Sequence, residues 1–311
     1  MFLSHFRTIP SQFPPVLRGI LWMLLAALLF SGLNTTVRLA SQEVPVLEVM
    51  FFRNLFNLLF MLPWLARIGW SALRTERLGL HALRSTFGLT SMFLQFTALS
   101  LMPLAEATAL SFTAPLFATI GVALIVGETV RLRRWIAIAI GFVGVILILR
   151  PGYEVVSTPA LMMLCGSMIV GGSFTCVKLL SSTESPNAMV LWMGIFMAPI
   201  SLIPALFVWQ WPSALGFVYL VGVGTCATLA HLCFNRAFAA ADASAVLPFD
   251  YTRLLIVALF GFLLFGEMPD LSTWIGAGVI VAANIYMAQR EAARAKGERL
   301  AAAATADKLV P

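Results

Sequence analysis

Gly127-Glu128-Thr129-Val130-Arg131-Leu132-Arg133-Arg134-Trp135-Ile136 is the stretch on which the fold reading turns. It sets three arginines in a short loop between two long apolar runs. Its ends recur: Gly127-Glu128 and Trp135-Ile136 return as Gly266-Glu267 and Trp274-Ile275, 139 residues on. A second set recurs at nearly the same offset. Gly32, Val37, Arg38, Leu39 and Ser41 reappear as Gly172, Val177, Lys178, Leu179 and Ser181, 140 residues later. The near-constant offset marks an internal duplication.

What is duplicated is hydrophobic. Of the 311 residues 60% are hydrophobic and 11% charged, against roughly 25% charged in soluble domains. So few charges cannot cover a water-soluble surface, and no polar stretch is long enough to fold as a separate catalytic domain. A helix needs about 20 residues to cross an apolar core of about 30 Å. Ten such segments fit, near 18–38, 46–66, 82–101, 104–126, 134–150, 159–180, 188–209, 214–235, 243–265 and 272–289. Each half holds five, and an odd number turns the second copy upside down relative to the first. The expected fold class is therefore an all-α integral membrane protein of ten transmembrane helices in two inverted five-helix repeats, a signature of secondary transporters. The repeats run 18–150 and 151–290, between a cytoplasmic N-terminal segment 1–17 and a charged, Ala-rich tail 291–311.

Basic residues orient the bundle. With the N-terminus inside, sixteen of the lysines and arginines fall in cytoplasmic loops and tails, while Arg38, Arg53 and Arg150 alone fall at outer ends. The opposite orientation would reverse that bias, so both termini are expected in the cytoplasm, at a bacterial inner membrane. The first span is long and has no small-residue cleavage site behind it, and reads as a retained helix. The net charge of +6 belongs to these loops and does not suggest nucleic-acid binding. No phosphate-binding loop, metalloprotease or nucleophile-elbow motif is present, so the chain is not expected to be an enzyme and no cofactor or metal is implied. Cys165, Cys176, Cys226 and Cys233 fall in apolar spans at no zinc or redox spacing.

Over residues 18–290 the chain resembles the drug/metabolite transporter superfamily, in particular its ten-helix EamA-type members. The resemblance is carried by Phe30-Ser31-Gly32-Leu33-Asn34 leading to Val37-Arg38, by Arg53, and by Ala105-Glu106-Ala107-Thr108-Ala109 before Pro115-Leu116. It continues through Gly127-Glu128, Gly141 and Gly144 to Ala243-Ser244-Ala245 and Gly266-Glu267. No proline matches Pro115 in the second half, which reads Pro248-Phe249-Asp250-Tyr251-Thr252-Arg253-Leu254. That block looks like a subgroup with transporters of riboflavin, S-adenosylmethionine and amino-acid-like metabolites. The resemblance implies alternating access to a small molecule between the halves, with export favoured on family grounds although both directions occur. An amino acid or a compound derived from one is the leading substrate. Uptake of a nutrient such as riboflavin or S-adenosylmethionine is the alternative, and an intramembrane enzyme a remote one.

Polar residues inside the spans are the candidates for the site. Asp250 and Arg253, three apart, share a helix face and read either as a self-neutralised pin or as partners for a substrate's amine and carboxylate. Asn34 and Gln95 are expected at a central cavity, with His231 and Tyr251 as further substrate contacts; His231 reads either as a satisfied hydrogen-bonding residue or as a proton relay. Arg38 and Lys178, equivalent in the repeat, are either interfacial anchors or guards of the two mouths. Glu106 snorkels or serves gating and proton coupling. Asn54, Asn57, Asn235 and Asn284 read as interhelical ties of about 0.6 kcal/mol each. His5 and His81 lie outside the spans and carry no reading.

The topology is checked by fusions at the C-terminus. A fluorescent protein that matures only in cytoplasm should glow there, and alkaline phosphatase at the same point should be inactive. The reverse pattern overturns the assigned orientation.

Overall fold

The computed structural model describes residues 14–69, 74–121, 123–124, 132–150, 156–180, 183–184, 186–241 and 243–307. Among these residues the chain is helical: α1 Pro15–Glu43, α2 Val46–Ile68, α3 Leu78–Leu101, α4 Leu104–Ser111, α5 Ala114–Gly121 and α6 Leu132–Leu149 make the first half. The second half holds α7 Thr158–Leu180, α8 Pro186–Phe207, α9 Ala214–Ala240, α10 Ala243–Asp250, α11 Thr252–Phe265 and α12 Leu271–Asp307. The quoted Gly127-Glu128 and Arg131, and the side chains of Arg134 and Lys178, lie outside the described residues.

Local signals set the ends. Prolines at 14, 45 and 103 stand immediately before α1, α2 and α4, where a missing N–H is harmless. Ser213 caps α9, its hydroxyl accepting from the Gly216 N–H at 2.9 Å. α11 stops at Gly266, whose φ of 68° is the left-handed conformation that glycine adopts without strain. α12 runs beyond the last apolar residues to Asp307, so the tail extends the last helix.

Seven helical segments are long and apolar enough to cross a membrane, α4–α5 and α10–α11 each counting as one. Shorter apolar stretches lie in α6 and α7. The more polar α3 takes its place by packing against α7 and α8. Two expected spans need correction. The segments drawn as single helices at 104–126 and 243–265 are each broken, at Phe112-Thr113 and at Tyr251.

Packing reproduces the inverted repeat. If the first half maps onto the second as α1 to α7, α2 to α8, α3 to α9, α4 to α10, α5 to α11 and α6 to α12, the principal contacts map onto one another. α1 lies along α9 and α7 along α3; α5 meets α7 and α11 meets α1; α2 packs on α9 and α8 on α3. The pairs α2–α8 and α6–α12 map onto themselves. Large apolar side chains such as Ile140, Val143 and Ile146 are half exposed on the perimeter, as lipid contact requires. Between helices in lipid, close packing of small residues replaces the hydrophobic drive.

α6 crosses α12 backbone against backbone. A Cβ at Gly144 would stand 2.6 Å from the Gly276 carbonyl oxygen, and one at Gly276 would stand 2.5 Å from that of Gly144. Both obstacles are backbone and cannot rotate away. Gly144→Ala and Gly276→Ala should each lower the thermal stability of the purified protein by about 1–3 kcal/mol, the usual range for overpacking. Gly278→Ala, with nothing within 4 Å, should leave it unchanged. Equal tolerance at all three positions contradicts the crossing.

Candidate functional site

The two broken helices meet. Phe112 and Tyr251, 139 residues apart and so equivalent in the repeat, have ring centroids 5.0 Å apart at 83°. Pro115 explains the first break, because it has no N–H and its ring collides with the carbonyl one turn back. Threonine hydroxyls bond back at both breaks: Thr113 Oγ1 donates to the Leu110 carbonyl at 2.6 Å, which also accepts from the Thr113 N–H at 3.1 Å, and Thr252 Oγ1 donates to that of Phe249 at 2.7 Å. The Phe112 carbonyl accepts from Asn284 Nδ2 of α12 at 2.8 Å. Irregular backbone at membrane depth survives only where protein satisfies it in this way.

Asp250 and Arg253 flank the second break, with Arg253 Nη2 3.7 Å from Asp250 Oδ2. The guanidinium lies 4.9 Å from the Phe112 ring centroid and 5.4 Å from that of Phe30 on α1, so two aromatic faces hold the cation. The Ser31 hydroxyl, directed to Ala27, also reaches the Arg253 carbonyl at 3.2 Å. The pair is not saturated. Asp250 Oδ1 and Arg253 Nε are buried without a hydrogen-bond partner among the described residues. A buried charge is expensive unless every polar atom is matched, so these atoms mark a place where a polar ligand improves the balance.

The other expected site residues distribute around this junction. His231 joins it: its ring meets Phe30 edge-on at 5.2 Å, and its Nδ1 is 2.7 Å from the Ala227 carbonyl. Tyr251 is the break itself. Asn34 ties α1 to α4 through Thr108 Oγ1 at 3.2 Å, one turn from Phe112. Gln95 stands apart, its Cγ against Gly166 where α3 crosses α7. Of the expected ties, Asn54 bonds Ser201 Oγ at 3.2 Å and Asn284 bonds Phe112. Asn57 makes none through its Nδ2, which is buried without an acceptor. His81, dismissed as lying outside the spans, is in the first turn of α3, 1% exposed, against Trp192 and 3.9 Å from Glu184. Its signal was an ionisable residue immediately ahead of the span at 82–101.

Arg38 is not an isolated anchor. Its Nη1 lies 2.6 Å from Glu267 Oε1 and donates to the Met102 carbonyl at 2.7 Å, and its guanidinium covers Phe265. Glu267 Oε2 in turn accepts from the Leu104 N–H at 2.9 Å. The same end of the bundle is tied across the halves by Glu48 accepting from the Gln210 N–H at 2.7 Å, by Ser213 donating to Glu43, and by Arg150 pairing with Asp270 at 3.0 Å. Glu106 lines a cavity of about 260 Å³ here with Arg150 and Asp270. At the opposite end Arg77 donates to the Leu179 carbonyl at 2.9 Å, Arg84 to that of Met189 at 2.8 Å, and the Thr75 hydroxyl to the Glu184 carboxylate.

Ten spans in inverted halves, with broken helices meeting around an unsaturated ion pair, define a membrane transporter and not an enzyme. The chain belongs to the EamA-like transporter family, which matches residues 17–150 and 157–288. It is 34% identical to a riboflavin transporter of Vibrio cholerae, over 91% of this chain and 97% of that protein. Identity to an S-adenosylmethionine uptake transporter of Rickettsia prowazekii is 29%, over 88% and 94%. A pseudopaline exporter of Pseudomonas aeruginosa shares 27%, over 87% and 96%. A protein crystal structure with 19% identity superposes at a TM-score of 0.61 over 88% of this chain and 98% of its own, and supports the fold.

Arg38 and Glu267 are largely buried, so removing one charge strands the other. Arg38→Met should destabilise the purified protein by about 3 kcal/mol, and Arg38→Met/Glu267→Gln by less than the single change. A double variant no better than Arg38→Met contradicts a coupled pair.

Proposed function

We propose that this protein is a secondary transporter that takes up a metabolite built on a flat aromatic ring, riboflavin being the first candidate, by alternating access at the junction of its broken helices. The observation that carries this reading is the junction itself. Phe30, Phe112 and Tyr251 gather aromatic faces at the place where Asp250 and Arg253 leave polar atoms unmatched. Aromatic walls with a few convergent polar groups suit a planar ligand with polar edges. The relatives that transport riboflavin and take up S-adenosylmethionine support the same class, since both molecules carry a heteroaromatic ring.

In this reading Arg253 and Asp250 contact the ring's polar edge, with Asn34 and His231 beside it, and Gln95 sits outside the first contacts. The membrane is a bacterial inner membrane with both termini cytoplasmic, which places the Arg38 end outside. Arg38 and Glu267 then form the latch of the outer mouth. Lys178 stands at the position matching Arg38 toward the inner mouth. The intramembrane carboxylates, Asp250 at the junction and Glu106 near the outer cavity, are the candidates for a coupling proton.

A second reading, export of an amino acid or a compound derived from one, is favoured by one observation. Opposite charges 3.7 Å apart complement a zwitterion's carboxylate and amine.

Flux in proteoliposomes separates the two. Riboflavin, S-adenosylmethionine and amino acids are supplied with and without an imposed pH gradient. Saturable riboflavin entry that grows with the gradient is expected, and Arg253→Ala should cut it at least about tenfold, the loss of one charge-assisted contact, with insertion into the membrane kept. Saturable amino-acid flux without riboflavin entry overturns the first reading in favour of the second.

A further inference from the structure

Beside the ion-pair junction lies a second polar place. A narrow cleft between α2, α8 and α9 is lined by Asn57, Met61, Val190, Thr228, His231 and Asn235, together with Leu232. Among the described residues no lysine, arginine or carboxylate lines it, although Arg53 and Arg84 lie near enough to act on His231 electrostatically. Asn57 is 5% exposed, and its Nδ2 has no acceptor among the described residues. His231 Nδ1 faces the Ala227 carbonyl at 2.7 Å; a carbonyl only accepts, so the neutral ring carries its proton there and offers Nε2 as an acceptor. Thr228 has its hydroxyl proton committed to the Gly224 carbonyl at 2.9 Å, which leaves oxygen lone pairs. Asn235, exposed on α9, supplies both a donor and an acceptor.

Phe30 is the wall shared with the charged junction. It meets His231 at 5.2 Å on one side and lies 5.4 Å from the Arg253 guanidinium on the other. One ring therefore separates a charged, aromatic place from a neutral, hydrogen-bonding one.

We infer that the cleft of Asn57, Thr228, His231 and Asn235 is a subsite for an uncharged hydroxyl-bearing tail of the transported molecule, whose ring sits at Phe112, Tyr251 and Arg253. The inference rests on the ring-metabolite reading above. A hydroxyl both gives and takes a hydrogen bond, so it matches the free N–H of Asn57 and the bare nitrogen of His231 together. An ammonium finds no carboxylate among the lining residues, and Arg53 and Arg84, the cations that act on His231, lie outside the lining. The cleft now has room for about one water, about 10 Å³, so the tail enters as α2 and α9 part during the transport cycle.

The test compares riboflavin with lumichrome, the same kind of ring without the hydroxylated chain, in proteoliposomes of the full-length protein. The wild type should transport riboflavin with a KM well below the inhibition constant of lumichrome. Asn57→Leu should raise the riboflavin KM about tenfold, leave lumichrome inhibition unchanged and so erase the preference. Asn235→Leu, at an exposed position where folding is not at stake, should shift it the same way by a smaller factor. Riboflavin transport that stays selective in both variants overturns the subsite and leaves the ring-metabolite reading standing. Absence of flavin transport by the wild type overturns that reading and the subsite with it. Equal losses for both ligands in Asn57→Leu show a structural role and also overturn the subsite.

Discussion

A backbone broken inside a membrane has no water to satisfy it, and this chain breaks its backbone twice, at equivalent places. The remaining architecture answers that constraint. Phe112 and Tyr251 bring the interruptions against each other across the repeat axis, Thr113 and Thr252 bond back to the preceding turns, and Asn284 reaches from α12 to the Phe112 carbonyl. A place with that much polar backbone and so few alternatives in lipid is suited to bind a polar molecule. Arg253 and Asp250 stand at its edge with hydrogen-bonding atoms to spare.

Among the described residues, the two ends of the bundle are held by different contacts. At the Arg38 end a carboxylate, Glu267, joins an arginine on α1 to the start of α4, and three further ties cross between the halves. At the other end arginines bond to backbone carbonyls. Ion pairs in a low-dielectric setting are strong when formed and costly when half broken, which makes them suitable for all-or-none latching. Arginine-to-carbonyl bonds are easier to exchange for water. The close crossing at Gly144 and Gly276 holds α6 and α12 together.

Much of this was legible from residue order. The offset of 139 to 140, read from Gly-Glu, Trp-Ile and the Arg38/Lys178 positions, led to ten spans and inverted halves. Asp250 and Arg253 were visible as charges three apart in an apolar run. The breaks were not read, although Phe112 and Tyr251 are separated by the same offset and Pro115 stands just past the first, because hydropathy runs straight through both. Glu267 was seen as part of a repeated motif, but its pairing with Arg38 joins residues 229 apart in sequence, and charge spacing along a chain says nothing about that. The asparagines looked alike. Only packing separates Asn54 and Asn284, which tie helices, from Asn57, whose Nδ2 is buried with no acceptor among the described residues.

The central claim, that substrate binds where the two broken helices meet, is tested most directly by substituted-cysteine protection. In a cysteine-free background, Tyr251→Cys places a thiol at the junction and Phe93→Cys places one on the exposed perimeter. Labelling at position 251 should fall as the transported substrate is added, with half-protection near the concentration that half-saturates transport, and labelling at position 93 should not change. Unchanged labelling at position 251 while transport saturates would contradict the account.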